Sequence, residues 1–225
     1  RVGPAAAHAG AVSADREHEK QLAAQAAAEL VEDGMLVGLG TGTTAAYLLP
    51  ALVARRLSLR CVATSPRTED AARRLGLDVE PFVVQRLDIT IDGADQISPQ
   101  GWLVKGGGGA HTREKVVAAT ADRFVVIADS SKPVDAIRPP IPLELLSFGL
   151  ESTLARLATV QRRDAPASPD GGIIADYTGE VGDPAELAAD LGSTPGVVAH
   201  GLFPPRLVAT ILVGRGESVE RIDLR

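Results

Sequence analysis

The stretch WLVKGGGGAHTREK, residues 102–115, places four consecutive glycines between an apolar run and a segment of helical character. Gly106 to Gly109 have no side chains, so their amides can approach a ligand closely and adopt positive φ without penalty. A flexible linker would be repetitive and flanked by polar residues, whereas here Trp102, Leu103 and Val104 precede the glycines and TREKVVAATA follows. The stretch therefore predicts a strand, an anion-binding turn (the glycine loop, Gly106–Gly109) and a helix.

Outward from this stretch, segments typical of strands and helices alternate. The predicted strands are MLVGLG (35–40), LRCVAT (59–64), LDITI (87–91) and FVVIAD (124–129), and the predicted helices are QLAAQAAAELV (21–31), TTAAYLLPALVARR (43–56), EDAARRLG (69–76) and REKVVAATA (113–121). Such alternation indicates an α/β protein with a mostly parallel sheet covered on both faces. Each strand ends in a polar cluster, and ligands of open α/β sheets bind outside the carboxyl ends of the strands. We expect these clusters to meet in one crevice.

The pattern changes after Pro139, Pro140 and Pro142. The segments LELL, 151–158, VQRR, GIIADY, 184–191 and VVAHGLF predict a β-α-β-β-α-β unit, and the later LVATILVG and ERIDL predict strands of the main sheet. We therefore expect a main domain of residues 16–138 with 207–225 and a small inserted α+β domain of ferredoxin-like type, residues 139–206. Residues 1–15 are expected to form a flexible tail or a processed segment.

Composition narrows the function classes. The formal net charge of -6 argues against a nucleic-acid surface. The sequence contains no run of about eighteen apolar residues, so it gives no indication of a membrane-spanning helix. The single cysteine, Cys61, lies in a strand-like run and is expected to be a buried structural thiol. A reducing, cytoplasmic location fits this cysteine usage.

The segment GLGTGTTA, Gly38 to Ala45, lies at a predicted turn from strand to helix. We refer to residues 40–44 as the threonine loop. Free amides at the helix start and the hydroxyls of Thr41, Thr43 and Thr44 would suit a phosphate. A dinucleotide site is disfavoured because Thr43 replaces the third glycine of GxGxxG and no acidic residue ends the next strand. A tight turn with threonine caps remains open.

Asp92 and Asp95 follow LDITI in the sequence DGADQ. They could be metal ligands, acceptors for sugar hydroxyls, or turn and N-cap residues. Metal binding is the weaker reading, because the four histidines are scattered and show no ligand spacing. His111 is interpreted as a solvated loop histidine rather than a ligand.

Lysine is rare in this chain, with four lysines against nineteen arginines. Its compact charge suits a developing oxyanion better than guanidinium does, which makes Lys105 and Lys132 candidates, while Lys115 is interpreted as a surface residue. Glu114 is either part of a capping box or a general base facing the glycine loop. A carboxylate base, a fixed ammonium and a phosphate site permit proton abstraction beside a carbonyl. On the residues alone, sugar-phosphate enolisation and simple binding both remain open.

Taken in order, GLGTGTTA, TIDGADQI, KGGGGAHTREK and IADSSK closely resemble the A-type ribose-5-phosphate isomerase family, from about Lys20 to the C-terminus. The resemblance implies a Rossmann-like main domain, a small α+β domain and a homodimer or homotetramer. It also implies interconversion of ribose 5-phosphate and ribulose 5-phosphate through an enediolate, without metal or cofactor, in the non-oxidative pentose phosphate pathway. The alternative is a non-catalytic sugar-phosphate sensor on the same scaffold, which would not need Glu114 and Lys105 together.

Carried onto this chain, the resemblance makes Glu114 the base that moves a proton between C1 and C2. Lys105 with the amides of Gly106 to Gly108 would stabilise the enediolate, and Asp92 and Asp95 would contact sugar hydroxyls and assist ring opening. The other expected substrate-binding residues are Thr41, Gly42, Thr43, Thr44, Gly93, Ala94 and Lys132. Three departures from the family pattern are Gln96, His111 and the sequence SPDGG at 168–172, the last casting doubt on contacts and assembly of the small domain.

Overall fold

The computed structural model describes the backbone of residues 4–225 and the side chains from residue 13 onward. The expected tail, residues 1–15, includes residues 1–3, which lie outside this range, and it stays a prediction. The helices are α1 Pro4–Ala28, α2 Thr43–Ala54, α3 Pro66–Arg74, α4 His111–Thr120, α5 Leu150–Leu157 and α6 Pro184–Ser193. The strands are β1 Leu36–Leu39, β2 Arg60–Ala63, β3 Asp78–Val79, β4 Leu87–Gly93, β5 Gln96–Ile97, β6 Leu103–Val104, β7 Ala121–Asp129, β8 Ile141–Leu145, β9 Val160–Arg162, β10 Ile173–Tyr177, β11 Val197–His200, β12 Leu202–Phe203, β13 Thr210–Arg215 and β14 Ser218–Asp223.

The main sheet has the order β14-β13-β7-β4-β1-β2-β3. Neighbouring strands from β3 to β13 are parallel, and β14 pairs antiparallel with β13 as a hairpin. Strand order reverses between β1 and β4, which is the switch point where ligands of doubly wound sheets bind. The predicted α/β fold with a mostly parallel, Rossmann-like sheet is confirmed.

Two apolar clusters cover the faces of this sheet. On one face, α1 and α2 pack through residues such as Ala23, Ala27 and Leu48. On the other, Phe124 and Phe203 form part of a cluster with α4. Because both faces are buried, the strands read as continuous apolar runs. Within residues 4–225, no helix combines the length and apolar character needed to cross a bilayer.

The small domain has the sheet order β11-β8-β10-β9 with antiparallel neighbours. Its six elements follow the predicted β-α-β-β-α-β order, and α5 and α6 are the two helices. The ferredoxin-like arrangement is thus confirmed, while the exact boundaries 139–206 stay a prediction. Leu143, Leu157 and Leu191 belong to its separate core.

A further short sheet, β12-β6-β5, joins the two domains. The predicted strand VVAHGLF is divided at Gly201 into β11 and β12, which lie in different sheets. A Cβ on Gly201 would lie 2.3 Å from the carbonyl oxygen of Lys105, so only glycine permits this crossing. Strand β6, which precedes the glycine loop, also belongs to this short sheet and not to the main one.

Candidate active site

The threonine loop lies between β1 and α2, at the switch point of the sheet. Gly42 is the N-cap of α2 and has φ +125, a backbone conformation that favours glycine. A Cβ on Gly40 would lie 2.1 Å from an Asp92 carboxylate oxygen, so this glycine allows the loop to pass directly over Asp92. The start of α2 thereby presents its amide end to the cleft.

The hydroxyl of Thr41 makes hydrogen bonds with other hydroxyls of the protein. Its Oγ1 lies 2.8 Å from the hydroxyls of Thr64 and Ser65 and 3.0 Å from that of Thr68. Thr64 follows β2, Ser65 is the N-cap of α3 and Thr68 lies in its first turn. The Thr41 hydroxyl therefore connects the threonine loop to the next strand and helix. Thr43 is left as an exposed hydroxyl of the loop.

A buried ion cluster lies beneath the cleft. Lys105 Nζ is 2.9 Å from Asp92 Oδ2 and 3.4 Å from Glu114 Oε2, and it also donates to the carbonyl oxygen of Gly93. The three charged residues are at most 4% exposed. Asp92 lies in β4, Lys105 directly follows β6 and Glu114 lies in α4. The fold thus joins the DGADQ motif to the two ends of the glycine-loop motif.

Burial controls the protonation of this cluster. Desolvation raises the pKa of Glu114 to about 8, opposed by Lys105 and reinforced by the charge of Asp92. Burial alone would lower the pKa of Lys105, but Asp92 and Glu114 outweigh it and hold that pKa above its ordinary value. The site therefore combines a permanently charged ammonium with a carboxyl group that can both take up and release a proton near neutral pH.

The glycine loop forms the wall beside this cluster. Gly106 has φ +102 and Gly109 φ +75, so two of the four glycines use the freedom that the sequence suggested. The amide of Gly107 donates to Asp95 Oδ2 at 2.8 Å. Arg163 of the small domain donates to the carbonyl oxygens of Gly106 and Gly107. The sequence did not reveal this contact, because nothing in it distinguishes Arg163 from the adjacent Arg162.

One cleft brings together the predicted site residues, with a single exception. It is lined by Thr41, Gly42, Thr43, Thr44, Gly93, Ala94, Asp95, Lys105, Gly106, Gly107, Gly108, Glu114 and Lys132. Asp92 is the exception. Its Oδ1 accepts hydrogen bonds from the amides of Thr41 and Gly93 at 3.0 and 2.7 Å, and its Oδ2 faces Lys105. The carboxylate thus contacts Lys105 and the threonine loop from below the cleft, and a contact of Asp92 with sugar hydroxyls stays a prediction.

The interpretation of His111 as a solvated loop residue is wrong. His111 is the first residue of α4 and is fully buried. Its ring packs under the glycine loop, where a Cβ on Gly106 would lie 2.6 Å from Nδ1. Burial, with the nearby Lys115, lowers the pKa of His111 to about 4.

The interpretation of Lys115 as a surface residue also needs correction. Its ammonium donates to the carbonyl oxygen of His200 and lies 4.9 Å from the centre of the Phe203 ring. Burial lowers the pKa of Lys115 to about 7. The capping-box alternative for Glu114 is not observed, because Ala110 is the N-cap of α4 and no side-chain cap bond forms.

Sequence comparison assigns the chain to a known family. Residues 60–218 match the family described as Ribose 5-phosphate isomerase A (phosphoriboisomerase A). The chain belongs to the ribose 5-phosphate isomerase A family. The Ribose-5-phosphate isomerase A of Caulobacter vibrioides is 43% identical over 224 residues, covering 92% of this chain and 98% of that protein.

Solved structures agree with this membership. The ribose 5-phosphate isomerase A of Methanocaldococcus jannaschii superimposes with a TM-score of 0.86 at 32% identity, covering 91% of this chain and 97% of that one. A D-ribose-5-phosphate isomerase in complex with phospho-erythronic acid superimposes with a TM-score of 0.87 at 29% identity, covering 92% and 99%. The family thus accounts for the fold of both domains.

Proposed function

We propose that this protein is an aldose-ketose isomerase that interconverts D-ribose 5-phosphate and D-ribulose 5-phosphate. The observation that carries the proposal is the Glu114 carboxyl, buried 3.4 Å from the Lys105 ammonium and opening onto the cleft. A carboxylate that exchanges protons beside a fixed cation is what proton transfer next to a carbonyl needs. Family membership supports the same reaction.

In the proposed mechanism, Glu114 removes the C2 proton of the open-chain aldose and returns it to C1. The hydroxyl proton passes from O2 to O1, and the carbonyl group therefore moves from C1 to C2. The aldose and the ketose contain the same atoms. The enediolate formed between these steps carries negative charge on its oxygens, beside Lys105 and the amides of the glycine loop. Phospho-erythronic acid, bound by a structural relative, has a carboxylate whose two oxygens resemble those of the enediolate.

The remaining cleft residues have proposed binding roles. The amide end of α2 with Thr43 and Thr44 would hold the phosphate, together with Lys132, whose ammonium makes no ion pair within the described part of the chain. Asp95 lies in the cleft and is exposed, so it is the better placed of the two aspartates for sugar hydroxyls and ring opening. Asp92 would act through Lys105.

The direct test follows ribulose 5-phosphate formation from ribose 5-phosphate by the purified protein. Activity is expected to persist in chelator, because the proposed chemistry uses side chains and amides only. Among the described residues, no group of three or more His, Cys, Asp and Glu side chains could hold a metal ion. Binding of ribose 5-phosphate without turnover would instead favour the sugar-phosphate sensor, and activity restored by a divalent ion would contradict the metal-free mechanism.

The wider setting is also proposed. The reaction belongs to the non-oxidative pentose phosphate pathway, and the one cysteine, Cys61, is buried with a pKa raised to about 12 by burial, which suits a reducing cytoplasm. A homodimer or homotetramer is expected from the family. Light scattering of the purified protein would give the number of subunits.

A further inference from the structure

The small domain reaches the glycine loop through Arg163, the residue after β9. Its Nε and Nη2 donate to the two carboxylate oxygens of Asp176 at 2.6 Å each. Its Nη1 donates to the carbonyl oxygens of Gly106 and Gly107 at 3.0 Å each. Arg163 also donates its own amide to Ile174 at 3.0 Å. The guanidinium is therefore fixed by the small domain and uses its remaining nitrogen on the loop.

These two contacts set the direction of the loop amides. A trans peptide is planar, so its N–H points opposite to its C=O. With the carbonyls of Gly106 and Gly107 turned toward Arg163, the amides of Gly107 and Gly108 must point to the other side. The Gly107 amide does so, since it donates to Asp95 in the cleft. The Gly108 amide has no acceptor within residues 13–225, and Gly108 lines the cleft.

The contact differs from the ordinary surface ion pairs of this protein. The side chains of Arg163 and Asp176 are 20% and 18% exposed, whereas those of Arg215 and Glu220 are both 46% exposed. Exposed pairs contribute little, while a two-pronged arginine fork loses less freedom for each hydrogen bond it makes. A loop of glycines has no side chains with which to hold itself, so an external support of this kind is needed for a single conformation.

We propose that Arg163 is a positioning residue for the isomerase reaction: it holds the glycine loop so that the Gly108 amide faces the enediolate oxygens, while the Gly107 amide stays on Asp95. The proposal rests on the proposed function. Arg163 does not line the cleft and acts only through the loop. The small domain thereby contributes to catalysis without touching the substrate.

Substitution of Arg163 separates this role from simple domain packing. In Arg163→Met, kcat is expected to fall by about 10- to 100-fold, somewhat less than the 10²–10³ typical of deleting an oxyanion donor itself. KM for ribose 5-phosphate should stay within about threefold, because the phosphate contacts are unchanged. Arg163→Lys keeps one donor for the carbonyls and should recover part of kcat. Arg162→Met is the matched control, since Arg162 is exposed in the same hairpin, and it should behave as wild type.

Binding of phospho-erythronic acid gives a second readout. Its affinity for Arg163→Met should fall by about the same factor as kcat/KM, whereas the affinity for inorganic phosphate should not change. A packing role would instead lower the melting temperature and leave these ratios untouched. If Arg163→Met does not fold, Asp176→Asn removes the anchor but keeps Arg163, and it should show an intermediate loss of kcat.

Amide hydrogen exchange tests the loop without reference to activity. Exchange in a peptide covering 106–110 should be at least about tenfold faster in Arg163→Met than in wild type or Arg162→Met. Unchanged exchange, or wild-type kcat in a folded Arg163→Met, would overturn the proposal. If wild type itself lacks isomerase activity, the proposed function fails, while the exchange rates still decide whether Arg163 orders the loop.

Discussion

At the level of single residues, burial determines what Glu114 can do. Proximity to Lys105 and to the start of α4 would lower its pKa, yet desolvation wins and raises it to about 8. A carboxyl group with such a pKa can accept a proton from one carbon and give it up to the next. An exposed glutamate, which stays ionised at neutral pH, would return the proton poorly.

Replacing Glu114 by Gln removes the base but keeps the shape of the side chain. We expect kcat to fall by roughly 10² to 10⁴, with the affinity for ribose 5-phosphate largely retained. Steady-state kinetics and calorimetry on the same preparation measure the two quantities. Glu186→Gln is a matched control, because Glu186 also lies in the first turn of a helix but is exposed. Wild-type turnover in a folded Glu114→Gln would reassign the base, with Asp95 the next candidate in the cleft.

The raised pKa of Glu114 also predicts how activity depends on pH. Only the ionised base removes a proton, and its ionised fraction grows as pH rises through about 8. A pH profile from 7 to 9 should therefore show kcat/KM increasing toward a plateau, since this ratio reports the free enzyme. A flat profile over this range would contradict the burial argument.

The burial of His111 predicts that the folded protein loses stability in acid. Its pKa is about 4 when folded and about 6.5 when unfolded, so between these values the unfolded chain binds more protons. Stability is therefore lost as pH falls from about 6.5 to about 4, by up to about 3 kcal/mol. The charges of Lys115, Arg163 and Lys105 disfavour protonation of the ring, whereas the backbone of Ala199 favours it.

His111→Leu should accordingly gain more stability at pH 5 than at pH 7.5. Urea unfolding at the two pH values measures the difference within one variant. The apolar replacement also removes a polar ring from a fully buried position. Equal changes at both pH values would show that His111 does not titrate on unfolding. The acid loss need not vanish, because burial also lowers the pKa of His200, to about 3.

Among the elements, α4 depends on the small domain for its position. Thr112 donates from its hydroxyl to the buried Glu144 of β8, and Ser168 donates to the other carboxylate oxygen. Arg113 forms two 2.8 Å hydrogen bonds with Asp170. The SPDGG segment therefore contacts Arg113 directly through Asp170 and Thr112 only indirectly, through Glu144. This departure bears on the position of Glu114, the next residue along α4.

Ser168→Ala should leave one oxygen of a buried carboxylate unsatisfied. We expect a loss of about 1–3 kcal/mol in the free energy of unfolding, measured by urea denaturation. Ser147→Ala is the control, because Ser147 is exposed in the same domain. An unfolding midpoint equal to that of the control would mean that Glu144 finds another donor.

At the scale of the whole molecule, one edge of the main sheet holds the two groups of residues that form the cleft. The threonine loop follows β1, Lys132 follows β7, and the Lys105 and Glu114 cluster lies between β4, β6 and α4. The proposed phosphate site and the proposed proton-transfer site therefore lie on different elements at one edge of the sheet. A substrate held at its phosphate would have its C1 and C2 placed against Glu114.

This arrangement predicts strong dependence on the phosphate. Ribose without phosphate should have a kcat/KM at least about 10² lower than ribose 5-phosphate, since one or two charge-assisted hydrogen bonds are lost. Coupled assays on both sugars give the ratio. Comparable kcat/KM values for ribose and ribose 5-phosphate would show that the threonine loop does not bind the phosphate.

Motifs with a local physical meaning could be predicted well. Turns rich in glycine and threonine, the alternation of strands and helices, and the order of the small domain all follow from short-range patterns. The environments of His111, Lys115 and Asp92 could not, because burial depends on what packs against a residue from elsewhere in the chain. The contact of Arg163 with the glycine loop could not be predicted either, because the adjacent Arg162 has the same side chain.

The sequence by itself determined the α/β class, the split small domain, the family and the residues that line the cleft, because residue spacing and backbone requirements are local properties of the chain. Only the tertiary structure decided which carboxylate faces the cleft and which lies beneath it, how far burial raises the pKa of Glu114, and that the small domain supports the glycine loop. These properties depend on desolvation and on contacts between residues such as Arg163 and Gly106, which are distant in the chain and adjacent only in the fold.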